Sequence, residues 1–198
     1  LEILNLRKYG LTIGWYDRPI RSYTKLIPAL QQYPNAIIVT ADDDIQYRKD
    51  WLEHLYNAYL KEPKMVHCYC SHRVSMKDGK FLPYNLWQHV IQDSKSYDNL
   101  LMGVGGVLYP PHSLYMDVVK EELFMQYAPT ADDLWIWAMV VMNKIKINVI
   151  CNRNSTTIPV PNVNNEFALY NENSIGKNDE QLIQIVNHYP EILKILNN

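Results

Sequence analysis

Glycine is scarce in this sequence, 7 residues in 198, and there is no internal repeat or low-complexity tract. Both absences leave an ordinary globular chain of the length of one domain. There are three cysteines. Cys68 and Cys70 stand two apart on an expected strand, where alternation points them the same way, and Cys151 is distant, so no disulfide framework is encoded. Reduced, buried thiols fit a cytoplasmic setting, and zinc would need more ligands at better spacing. The net charge of −2 provides no overall basic field for nucleic acid. No apolar run approaches the roughly 20 residues of a spanning helix. The most membrane-like stretch, Leu134 to Val141, is too short and begins beside two aspartates, and no secretory signal opens the chain. The first residue is Leu1 rather than Met, as in a piece of a longer protein.

What is present is apolar and aromatic. Hydrophobic residues make up 47% and charged ones 20%, enough for a packed core, with 15 tyrosines and five tryptophans. Rings with a polar tip suit a cleft that stacks on sugars or bases, and they are equally ordinary core filler.

The most informative stretch is Ala36-Ile37-Ile38-Val39-Thr40-Ala41-Asp42-Asp43-Asp44-Ile45. An apolar, β-branched run ending in three carboxylates reads as a buried strand that opens into a site. Adjacent like charges raise one another's pKa unless a cation or hydrogen-bond donors compensate, and a divalent ion bridging them to a phosphate would do so. Asp residues also end strands and cap helices, and solvated carboxylates repel weakly. Local sequence supports the two readings equally.

Periodicity predicts a strand over 11–15, then a helix over 20–32 carrying Leu26, Ile27 and Leu30, with Pro28 as a possible kink. Strand 36–40 follows, then a helix over 48–60 ended by Pro63, a strand over 65–70 and a hairpin-type turn at Lys77-Asp78-Gly79-Lys80. The βαβαβ order predicts an α/β fold with a parallel or mixed sheet flanked by helices, whose ligand cleft lies at the carboxyl ends of the strands. Gly103-Val104-Gly105-Gly106 lacks the spacing of a nucleotide-binding fingerprint; it suits close approach to a ligand or a bend entering a strand. A short helix is expected over 113–124. Thr130 and Asp133 fit a capping-type pattern at the start of an apolar helix over 134–142, and acids in a first turn are favoured by about 0.3–1 kcal/mol. A strand over 146–151, a long loop to Lys177, an amphipathic helix over 180–188 and a last turn or two over 190–196 complete the expectation.

Taken in order, several segments resemble one family: Ser22-Tyr23-Thr24-Lys25-Leu26-Ile27-Pro28-Ala29-Leu30, Val39 to Ile45, His72-Arg73, Pro83-Tyr84 with Trp87, Gly105 to Pro111, Ala131-Asp132-Asp133-Leu134-Trp135, and Asn178-Asp179. Jointly they resemble bacterial glycosyltransferases of the GT-A fold, family 2-like. The resemblance implies a Rossmann-like mixed sheet and transfer of a sugar from a nucleotide-diphospho-sugar, expected to be a UDP-sugar, to a glycan or lipid-linked acceptor, with inversion, as in polysaccharide biosynthesis. It places a DXD motif on Asp42, Asp43 and Asp44, with Asp44 as first metal ligand beside Asp42 and Mn²⁺ or Mg²⁺ as cofactor. It makes Asp133, with Asp132 as alternate, the catalytic base. Donor binding would fall to Lys25, Asp42, Asp43, Gly105 and Gly106, and acceptor or sugar binding to Trp87, Tyr109 and Arg73, with His72 beside it. For Lys25 an exposed helix lysine is as ordinary a reading; for Arg73 a structural salt bridge; for Trp87 packing is the commoner role. The family's N-terminal β-α units are expected to be missing, because only about 40 residues precede Asp42. The domain reading is 1–151 as a partial GT-A domain, with 152–198 as a loop and helix packed on it. No nucleic acid partner is expected, and a cytoplasmic location, peripheral at the membrane's inner face, is. The alternatives are a haloacid-dehalogenase-type phosphatase with Asp42 as nucleophile, an EF-hand-like calcium loop running from Asp42 to Glu53, and an inactive nucleotide-sugar or metal-binding module.

Overall fold

The computed structural model describes residues 3–150, 158–159 and 176–197. Its centre is a five-stranded mixed sheet in the order β1-β7-β3-β8-β6. The strands are β1 (Ile38–Thr40), β3 (Val66–Arg73), β6 (Ser94–Ser96), β7 (Asn99–Tyr109) and β8 (Ile147–Val149). β7 pairs antiparallel with both β1 and β3, β8 runs parallel to β3, and β6 closes the far edge antiparallel to β8. Two small ribbons stand apart: β2 (Ile45–Gln46) with β9 (Ile158–Pro159), and β4 (Met76–Lys77) with β5 (Lys80–Phe81). In the second, Asp78 and Gly79 both have positive φ, 52° and 74°, as a two-residue hairpin turn requires.

Helices cover both faces. On one face α2 (Trp51–Lys61) packs Leu55 against Tyr69 and Leu108. On the other lies the main core, formed with α1 (Ile27–Gln32), α3 (Glu121–Tyr127), α4 (Asp132–Met142), α5 (Asn178–His188) and α6 (Glu191–Leu196). α4 is apolar on every side and almost wholly buried, as a helix enclosed by neighbours must be. Burial alternates along β1: Ile38 joins the main core, and Val39 the α2 side.

Several expectations change. No strand forms over 11–15; that segment is irregular, with Trp15 90% exposed, and among the described residues no strand pairs with it. A 3-10 helix over Ile3–Tyr9 precedes it and buries nothing. The expected helix over 20–32 divides into a 3-10 turn, Arg21–Lys25, and α1, so Pro28 sits in a first helical turn, where its missing N–H costs nothing, rather than at a kink. The helix expected over 113–124 becomes a 3-10 turn, Met116–Val119, followed by α3. Thr130 does not cap α4; Ala131 stands at the cap position, and Thr130 instead exchanges hydrogen bonds with Gln181 of α5. Between Cys68 and Cys70 the β3–β7 pairing advances from Val107 to Met102 on β7, an irregularity that breaks the alternation, and Cys68 enters the main core while Cys70 packs on the α2 side. The expected loop 152–177 and Cys151 fall almost entirely outside the described residues. Among the described residues no helix is long and apolar enough to cross a membrane.

Two glycines of β7 are closely covered, Gly105 by Cys70 of β3 and Gly106 by Trp51 of α2. A Cβ on Gly106, whose φ is +85°, would lie 2.2 Å from the Trp51 ring, and one on Gly105 would lie 2.7 Å from the Cys70 sulfur. Gly106→Ala should therefore lower stability by roughly 3 kcal/mol, combining left-handed strain with overpacking. Chemical denaturation checks this; unchanged stability would mean that the indole does not bear on this position.

Candidate acidic centre

Four charged side chains from three parts of the fold converge beside β7. Lys25 ends the 3-10 turn ahead of α1, Asp42 follows β1, and Asp132 and Asp133 open α4. The Lys25 ammonium donates to Asp42 Oδ1 at 3.0 Å and lies 3.5 Å from Asp132 Oδ2. Asp133 Oδ1 accepts the Gly103 N–H at 3.0 Å. Gly103 leaves room for these groups, since a Cβ there would stand 2.7 Å from Lys25 Nζ and 3.4 Å from Asp133 Oδ1 and the lysine would have to shift.

The electrostatics follow from this crowding. Burial alone would lower the lysine pKa, but Asp132, Asp133 and Asp42 outweigh it and raise it, so the ammonium stays charged. Burial pushes Asp133 up to about 7, and neighbouring Asp132 adds to the rise while Lys25 and the Gly103 N–H oppose it. Asp132 is raised as well, again mainly by burial. Its Oδ2 is buried with no hydrogen-bond partner, because 3.5 Å to the ammonium is an ion-pair contact too long for a well-formed hydrogen bond.

The loop holding the aspartates is tied to β7 by two aromatic residues that sequence reasoning missed. The Tyr47 hydroxyl accepts the Asp42 N–H at 2.9 Å and donates to Val104 O at 3.1 Å. Its ring packs on Trp51, whose indole N–H donates to Gly105 O at 2.9 Å. No local pattern marks Tyr47, because its role depends on a strand 57 residues away. Gly103 does carry a local signal, being the first glycine of the cluster that also holds Gly105 and Gly106.

The other candidate residues take different places. Asp43 is exposed, and Asp44 is half-buried with no ion pair among the described residues. Gly105 and Gly106 are covered by Cys70 and Trp51, which gives both glycines a packing reason. Tyr109 is buried next to the centre, its phenol pushed well up by burial and then by Asp133. Trp87 is buried, with its indole N–H on Leu82 O at 2.9 Å. Arg73 donates to Ser94 Oγ at 2.7 Å and lies 3.5 Å from Asp98, in a cross-strand brace. His72 packs edge-on to His89 and Tyr84, its pKa lowered to about 4 by burial and by His89. Asp179 accepts the Tyr84 N–H at 2.7 Å, which joins two of the matching segments. Asp50, which a calcium loop would use as a ligand, is instead held by Arg48, and a strand rather than a helix precedes Asp42.

Among the described residues no three His, Cys, Asp or Glu side chains form a protein-only metal cage. The donor set still suits a hard divalent ion. Mg²⁺ typically binds one or two carboxylates and completes its shell with substrate phosphates and water, and Asp42 with Asp44 supplies two such carboxylates on one short loop.

The raised pKa of Asp133 has a consequence for stability. Between its unfolded value near 3.8 and about 7, the folded state holds a proton that the unfolded chain has released. The contribution of this group is thus fully present below the unfolded pKa and is lost as pH rises through about 7. Asp133→Asn should flatten the fall in stability between about pH 4 and pH 7, read by urea denaturation at a series of pH values; an unchanged slope would assign the titration elsewhere.

No family model matches this chain, and no curated protein matches it, so the residues of the centre carry the functional argument themselves.

Proposed function

We propose that this chain is a GT-A-type glycosyltransferase, family 2-like, that moves a sugar from a nucleotide-diphospho-sugar to the hydroxyl of a glycan or lipid-linked acceptor with inversion. The observation that supports this best is the meeting of the Asp42 loop, Lys25 and the Asp132–Asp133 pair across β7. A mixed open sheet flanked by helices is compatible with that fold.

Each residue has work suited to its surroundings. Asp42 and Asp44 would hold Mn²⁺ or Mg²⁺, which supplies charge neutralisation for the departing diphosphate. Lys25 adds a positive charge on the same side. Asp133, pushed up to about 7, has the affinity for a proton that a base needs near neutral pH. The Gly103 N–H fixes one of its oxygens, leaving the other to take the acceptor hydroxyl proton as the anomeric carbon is attacked from the opposite face. Asp132, with its orphaned oxygen, keeps Lys25 close. Tyr109 supports the acidic pair from within the core, and Asp43 stands at the exposed rim for the donor's polar groups.

Calorimetric titration with UDP-sugars, with and without Mn²⁺, tests the reading. Metal-dependent binding that disappears in Asp44→Ala supports it; absence of binding in the presence of Mn²⁺ would sink it. Asp133→Asn should retain donor binding while transfer falls by about 10²–10⁴. Undiminished turnover would reject Asp133 as base, and metal-dependent donor binding without transfer to any acceptor would favour an inactive binding module.

A further inference from the structure

Lys25 stands unequally between two carboxylates that belong to different halves of the centre. Its ammonium is 3.0 Å from Asp42 Oδ1, at hydrogen-bond distance, and 3.5 Å from Asp132 Oδ2. The second oxygen is buried, and Asp132 as a residue is only 9% exposed, yet that oxygen has no hydrogen bond. A buried carboxylate oxygen left in this condition is costly, and the ammonium beside it, with three N–H donors, is drawn closer to Asp42 than to Asp132. Asp133 is engaged elsewhere, its Oδ1 accepting the Gly103 N–H.

We propose that Lys25 and a divalent cation compete for Asp42, and that Lys25, on losing that carboxylate, closes on Asp132. The proposal rests on the divalent-cation reading of the Asp42–Asp44 loop given above, and adds that cation binding there is coupled to the acid pair at the start of α4.

Three features make the exchange feasible. A lysine ammonium is a compact point charge on a flexible stem, able to move a few tenths of an ångström between acceptors without the directional demands of a guanidinium. Gly103 gives it room, since any Cβ would intrude to 2.7 Å from Nζ. Asp42 is held by its backbone, through the Tyr47 hydroxyl, so its carboxylate can change partner while the loop stays in place. The energetic sense is also fixed. A cation that takes Asp42 must overcome the existing ion pair, and any gain that Lys25 finds at Asp132 returns part of that cost. Such coupling is reciprocal by thermodynamic necessity.

Mn²⁺ titrations of the full chain, followed by calorimetry and by the electron paramagnetic resonance of free Mn²⁺, test the exchange. Lys25→Met should bind Mn²⁺ about tenfold or more tightly than the parent, because a unit positive charge has left the immediate neighbourhood of Asp42. Lys25→Arg should stay near the parent affinity. Asp132→Asn, which weakens the alternative seat for the lysine, should lower Mn²⁺ affinity by about fivefold in the parent but by less than about twofold in the Lys25→Met background, as a double-mutant cycle shows when one residue acts through another. A simple field effect of Asp132 on the ion would give equal losses in both backgrounds, and that result overturns the proposal. So does a Lys25→Met protein whose affinity is unchanged or weaker. If Lys25→Met does not fold, Asp132→Asn alone decides: unchanged Mn²⁺ affinity overturns the exchange. No Mn²⁺ binding by any of these proteins at millimolar concentration removes both the exchange and the divalent-cation reading. The predicted Mn²⁺ pattern without UDP-sugar binding leaves the exchange standing and removes the transferase.

Discussion

β7 is the constraint on which the rest depends. Between Met102 and Val107 this strand carries Gly103, Val104, Gly105 and Gly106, so it is nearly bare on both faces. On one face the bareness admits Lys25 and Asp133; on the other it admits Cys70 and the Trp51 indole. A side chain at Gly103 would press on the ammonium, and one at Gly106 would push α2 off the sheet. The acidic centre and the packing of α2 are therefore two results of one short glycine-rich stretch, spent in a chain that otherwise uses glycine sparingly.

Around that strand, charge has been moved into low-dielectric surroundings and then balanced. Three carboxylates and one ammonium lie within a few ångströms, and burial raises Asp132 and Asp133 while Lys25 opposes the rise. Removing Lys25 leaves three carboxylates without their counter-charge, as when one partner of a buried ion pair is lost. The acids at the start of α4 also sit where the helix macrodipole favours negative charge. Tyr47 and Trp51 complete the arrangement by pinning the Asp42 loop to Val104 and Gly105, so that position rather than charge alone defines the centre.

The degree to which this was legible varied with the range of the interactions involved. The strand leading to Asp42 was readable because Ile37, Ile38 and Val39 form a continuous β-branched run, and α2, α4 and α5 were readable from their spacing. β7 was only half legible: its glycines erase the alternation that marks a strand, although it is the longest in the sheet. β6, Ser-Lys-Ser, is a strand because of where it lies beside β8, not because of its composition. The alternation over 11–15 finds no partner strand among the described residues and forms no strand. Thr130 looked like a cap locally, but Gln181, 51 residues away, claims both its backbone and its hydroxyl. The Cys68–Cys70 alternation failed at a bulge, which is set by cross-strand register.

By itself, the sequence determined that one group of carboxylates follows a buried strand and that another opens an apolar helix, because strand and helix propensity and the placement of charge at element ends are local properties. Only the tertiary structure decided that these two groups meet. Asp42 and Asp132 come together because β7 brings the end of β1 beside the start of α4, and Lys25 spans them from a third segment. The raised pKa of Asp133 arises from burial, and the missing hydrogen bond at Asp132 Oδ2 from where the fold sets the Lys25 ammonium; no stretch of residues can specify either in isolation.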